Sequence, residues 1–150
     1  MPPLLTLKDE EAYRQHFTQS LCRQHVETHD GIRVYFSPDT FEHAFFESSD
    51  RRGADDVFSF ARAQRMDWIA VALADPDALC VQGWDKHTQA YSPKRRITVV
   101  VQDFVIVLAL STKRNGDLKA NFVTCIKADN SAVKIRQSPR WTREDYDNAT

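Results

Sequence analysis

Between residues 96 and 134 apolar and polar positions follow first the two-residue period of β-strands and then the period of a short helix. Three strands are expected, at 97–101, 104–112 and 118–127. The last two are joined by Lys113-Arg114-Asn115-Gly116-Asp117, and Asn-Gly between two alternating runs is a strong hairpin signal. A two-residue turn there pairs Arg114 with Asp117, which sets Val107 opposite Thr124 and Ala109 opposite Phe122. A second turn at Gln102-Asp103 sets Thr98 opposite Val107. One face of the sheet then carries Ile97, Val99, Val101, Phe104, Ile106, Leu108, Leu110, Val123 and Cys125, and helices should pack on it. The other carries Arg96, Thr98, Val100, Val105, Val107, Ala109, Ser111, Ala120, Phe122, Thr124 and Ile126. It mixes hydroxyl, small and basic side chains, and it suits either a plain wet face or the floor of a cleft. A one-residue slip would exchange the two faces.

Upstream, the pattern changes to helical spacing. Thr6-Leu7-Lys8-Asp9 resembles a capping box, and Tyr13, Phe17 and Leu21 follow at i, i+4. Residues 32–36 form a short strand. Ser37-Pro38 opens a second helix with Phe41 and Phe45 on its apolar edge and His43 turned away from it. After a loop at 48–53, a long helix is expected from about residue 54 to 74, stopped by Asp75-Pro76. Leu79-Cys80-Val81 reads as a strand and 83–93 as a polar loop. Asn130 or Ser131 caps a helix reaching Gln137, and 141–150 is expected to be a loosely ordered tail. The chain therefore reads as one α+β domain over residues 1–150, with 1–31 as an N-terminal helical extension.

The 150 residues are 42% hydrophobic and 27% charged, an ordinary globular composition. The apolar runs are of strand length and end in charges, so no membrane span is expected. Cys22, Cys80 and Cys125 are widely spaced with no CxxC, which argues for free thiols in a reducing cytoplasm rather than for zinc or disulfides. Charge is uneven. Residues 1–75 hold 8 Lys/Arg against 13 Asp/Glu, a net −5, while residues 78–143 hold 12 against 4, a net +8. The basic half suits a polyanion, although a solvated surface has the same composition.

Sequence motifs for nucleotide, metal or nucleophilic-serine chemistry are missing: there is no GxGxxG, Walker A, HExxH or GxSxG, and there are only 4 glycines. No metal or cofactor is expected. The remaining candidates suit metal-free RNA cleavage, which needs a base for the 2′-OH, an acid for the leaving oxygen and cations for the phosphorane charge. His43, an imidazole, fits either proton role, or is a plain exposed helix histidine. Arg62 and Arg65 fit a phosphate clamp, or are solvated helix arginines. Lys86, His87 and Tyr91 lie in the expected loop, and Lys94, Arg95 and Arg96 form a basic run beside Thr98 that suits a nucleic-acid backbone.

The order of these features resembles the phage-associated branch of the barnase–EndoU–colicin–RelE (BECR) superfamily of small RNases. The similar parts are Phe41-Glu42-His43-Ala44-Phe45, the segment from Trp68 to Asp77 ending in Asp-Pro-Asp, the strand Ala78-Leu79-Cys80-Val81, the loop with Tyr91, and Phe122-Val123-Thr124-Cys125-Ile126. The resemblance covers roughly residues 34–137. It implies N-terminal helices packed on one face of a twisted antiparallel sheet, an RNA cleft on the other, and metal-independent 2′-OH transesterification. It assigns catalytic roles to His43, to Arg62 or Arg65, and to Thr124. Phe45-Phe46 stands where an Arg-His-Pro-Glu-like run is frequent in the family. The expected activity is that of a toxin-type or mobile-element endoribonuclease acting on RNA, tRNA among its candidates, with an immunity or antitoxin protein as partner. The alternative is a non-catalytic phage or mobile-element protein that binds RNA or a protein through its basic C-terminal half.

Overall fold

A computed structural model describes residues 1–49, 53, 56–128 and 131–149; the side chain of Ser131, the Asn130 cap and residues 50–52 of the expected loop at 48–53 lie outside the described residues. In chain order the elements are α1 (Glu10–Phe17), β1 (Val26–Glu27), β2 (Arg33–Tyr35), α2 (Phe41–Ala44), β3 (Phe46–Glu47), β4 (Val57–Phe58), α3 (Phe60–Ala63), α4 (Trp68–Ala74), β5 (Leu79–Asp85), β6 (Ala90–Val101), β7 (Phe104–Thr112), β8 (Leu118–Lys127), α5 (Ser131–Arg136) and α6 (Arg143–Asn148). Six strands form one sheet in the order β1-β2-β8-β7-β6-β5. Every pairing in it is antiparallel except β2 on β8. The fold is α+β, and α1 to α4 lie against one face of the sheet.

Local chemistry explains several departures from the expected elements. Asp9, not Thr6, caps α1: its carboxylate accepts the Ala12 N–H at 2.9 Å. The helix widens into a π-turn at Thr18–Cys22 before it ends. Ser37-Pro38 opens a 3₁₀ turn, Pro38–Thr40, that leads into α2. The expected helix over 54–74 is two short helices, preceded by β4 pairing with β3. The Ser59 hydroxyl caps the first of them by accepting the Arg62 N–H at 3.2 Å. The stretch 83–93 is not a loop. Trp84 pairs with Tyr91 and Gly83 with Ser92, so β5 and β6 form a hairpin closed by residues 86–89, with Gln89 at φ +52.

The Asn115-Gly116 hairpin is present, with one more residue in its loop than the two-residue turn has. Gly116 N–H donates to Lys113 O at 2.9 Å, Lys113 N–H donates to Asp117 O at 2.7 Å, and Gly116 has φ +89. This is a three-residue loop with glycine in the left-handed position. The extra residue shifts the adjoining half of β8 by one, so Phe122 pairs with Leu108 and Ala120 with Leu110. Val123 then bulges and restores the expected register, leaving Val107 opposite Thr124. Ala120 and Phe122 therefore belong to the helix-covered face, not to the open one.

That inner face is one continuous core. Phe17 meets Phe36, Phe41, Phe45 and Phe122 at centroid separations of 5.4–6.2 Å. Residues 1–31 thus supply core side chains, and β1 joins the sheet. The outer face is divided. Its lower half carries a second small core, in which Ala132 and Ile135 of α5 pack on Val100, Val105 and Ile126. Its upper half is open. The C-terminal segment packs on the fold as well. Trp141 is buried, its indole N–H donates to Pro93 O at 2.9 Å, and the backbone around Arg140 pairs with Val81 along the edge of β5. Thr142 caps α6.

Candidate functional site: a split cleavage set and an open basic face

The four residues expected to cleave RNA are not brought together. Cys125 faces inward, its Sγ 3.7 Å from Ala44 O. Its neighbour Thr124 therefore points to the outer face, beside Val107 and Thr98. His43, Arg62 and Arg65 all belong to elements on the inner side. His43 is exposed on α2. Arg62 is committed to backbone: one guanidinium nitrogen donates to Ala44 O at 3.2 Å and to Phe46 O at 2.7 Å, tying the end of α2 to α3. Arg65 donates to Ala61 O at 2.6 Å, lies over the Trp68 ring and approaches Asp103 at 3.9 Å. The thickness of the sheet separates Thr124 from all three.

The nucleic-acid-binding candidates do gather. Lys86, His87, Arg95 and Arg96 line one recess of about 310 Å³ beside Gly83 and Trp84. Arg95 ion-pairs with Asp85 at 3.4 Å. The Asp85 carboxyl is held below the usual carboxylate range, chiefly by the His87 N–H it accepts at 2.9 Å and also by Arg95. Tyr91 and Thr98 line the adjoining groove. Lys94 is turned away, its ammonium 4.0 Å from the Tyr146 ring of α6.

Pairing along the sheet extends this basic surface to residues that period and spacing alone did not single out. Tyr35 pairs with Asn121, Asn121 with Ala109, and Ala109 with Arg96. These four make one row across β2, β8, β7 and β6. One step along the strands, Arg33 pairs with Lys119 and Lys119 with Ser111. The Arg33 and Lys119 cations lie 5.0 and 5.7 Å from the Tyr35 ring. The row ends at Gly83, where a Cβ would stand 2.9 Å from the Arg96 Cβ, so only glycine lets these strands approach. The available signal was compositional: Arg33, Tyr35 and Lys119 alternate with core residues, but that they share a face depends on the parallel pairing of β2 with β8.

Among the described residues no three His, Cys, Asp or Glu side chains gather closely enough to hold a metal ion. The three thiols are free. Burial pushes Cys22 and Cys80 up to about 11 and Cys125 higher still, so none is a thiolate nucleophile at neutral pH. No described helix is long and apolar enough to cross a membrane. No family model matches the chain, and no curated protein or solved structure matches it at a significant level.

Proposed function

We propose that this protein is a non-catalytic nucleic-acid-binding module that holds RNA on the open half of its sheet. The observation that carries the reading is the cross-strand row from Tyr35 through Asn121 and Ala109 to Arg96, flanked by Arg33 and Lys119. Cations on a rigid sheet contact phosphates, and an aromatic ring among them offers a surface for a base. The net +8 of residues 78–143 gives the surface the sign that RNA requires. The resemblance to BECR RNases agrees with RNA as the polyanion. The separation of Thr124 from His43, Arg62 and Arg65 argues against cleavage by that set. Three free cysteines favour action in the cytoplasm.

The test is fluorescence anisotropy with a labelled RNA oligonucleotide over a salt series. Binding should weaken steeply as salt rises, and replacing Arg33, Lys119 and Arg96 together by alanine should lower the slope of log K against log salt by about 2, at ~0.7 per lost phosphate contact. RNA recovered from the same samples should be intact. Absence of binding at low salt would overturn the reading. So would cleavage that is lost in both His43→Ala and Thr124→Ala, which would restore the endoribonuclease.

A further inference from the structure

The groove between the β5–β6 hairpin and α5 points to a more specific ligand. We propose that it takes a single unpaired nucleobase, so that the protein selects single-stranded RNA over duplex. The inference rests on the nucleic-acid reading above and adds the form of the strand.

Trp84 and Tyr91 are 55% and 40% exposed, although both are large aromatic residues. They are cross-strand neighbours, with ring centroids 5.2 Å apart and planes at 82°. One ring therefore braces the edge of the other while leaving a face open. The groove beside them holds about 260 Å³, enough for one planar base, and its floor is Val81, Thr98, Val107 and Ile126. An apolar floor has little attraction for phosphate or for a free ion, but it suits the flat face of a base. The Ser138 hydroxyl lies 3.4 Å from the Tyr91 hydroxyl, which braces the ring from the α5 side.

Charge decides between a base and a hydrophobic side chain of a partner protein. Lys134 of α5 lines the groove, and Arg96 with Lys86 lines the recess on the other side of Trp84. Among the described residues no carboxylate lies within ion-pair range of these three cations. An apolar slot rimmed by cations that no described carboxylate pairs matches a base flanked by phosphates. A base inside a duplex is stacked on both faces and cannot enter.

The experiment compares a labelled RNA single strand, the same strand annealed to its complement, and the same backbone carrying abasic sites, at one salt concentration. Wild type, Trp84→Phe and Trp84→Ala are measured, with circular dichroism confirming their fold. The single strand should bind at least ten-fold tighter than the duplex or the abasic strand. Trp84→Ala should weaken single-strand binding by about ten-fold, within the ~1–3 kcal/mol that one stacked base contributes. It should leave duplex binding unchanged, and Trp84→Phe should retain most of the affinity. Trp84 emission should be quenched by the single strand, since Trp68 and Trp141 are buried. Equal binding of all three nucleic acids, insensitive to Trp84→Ala, would overturn the base pocket while leaving the basic face standing. Absence of binding to any of them would overturn both.

Discussion

The two faces of the central sheet are built from the same strands, yet they are organised in opposite ways. The inner face gathers Phe36, Phe41, Phe45 and Phe122 around Phe17 and excludes nearly all charge. The outer face is only half covered. Six-residue α5 seals its lower half with Ala132 and Ile135, and the upper half keeps Tyr35, Asn121 and Arg96 exposed beside the half-buried Arg33 and Lys119. Stability should therefore reside inside and binding outside. The catalytic set expected from the sequence draws members from both.

The sharpest test of this division is Phe122→Ala, which removes the ring that Phe17, Phe36 and Phe45 pack against. It should destabilise the protein by about 3–5 kcal/mol in chemical denaturation, with RNA affinity per folded molecule unchanged. Loss of RNA binding by the folded fraction would break the comparison. Arg62→Ala comes next, because it leaves the Ala44 and Phe46 carbonyls without their guanidinium donor. A cost of about 1–3 kcal/mol is expected with RNA binding retained. Binding lost at full stability would instead make Arg62 a contact residue.

Gly83→Ala forces a Cβ to within 2.9 Å of the Arg96 Cβ and should cost about 1–3 kcal/mol while weakening RNA binding through the displaced Arg96. Lys119→Ala on the open half should change stability by no more than about 0.5 kcal/mol yet flatten the salt dependence of binding. The smallest effect concerns acid. Because the Asp85 carboxyl is held below its ordinary value in the fold, its ionised form supports the hairpin above the unfolded carboxylate pKa. That support is lost as pH falls through the lower native value. Asp85→Asn should remove this part of the acid sensitivity, as read from denaturation midpoints between neutral and acidic pH.

The β8 register shows how much a sequence can carry. The Asn-Gly signal located the hairpin, and alternation correctly set Thr124 opposite Val107. Both rested on a two-residue turn that the protein does not have. The three-residue loop moved Leu118 to Phe122 by one position, and the bulge at Val123 cancelled the shift before Thr124. Alternation could not reveal two offsetting irregularities, since each is chosen by packing: Phe122 gains contact with Phe17, Phe36 and Phe45 by turning inward. The polar stretch 83–93 does not read as a hairpin for a related reason. Its strands face water at Trp84 and Tyr91, so they lack the apolar alternation that marks a half-buried strand.

By itself the sequence determined the α+β class, the β6–β8 meander, the aromatic helices that cover it and the basic character of the C-terminal half. These depend on period, turn residues and charge, which are local properties. Only the tertiary structure decided which side of the sheet each candidate occupies. That depends on a parallel strand pair, a bulge and the seat of a short C-terminal helix, each set by contacts between residues far apart in the chain.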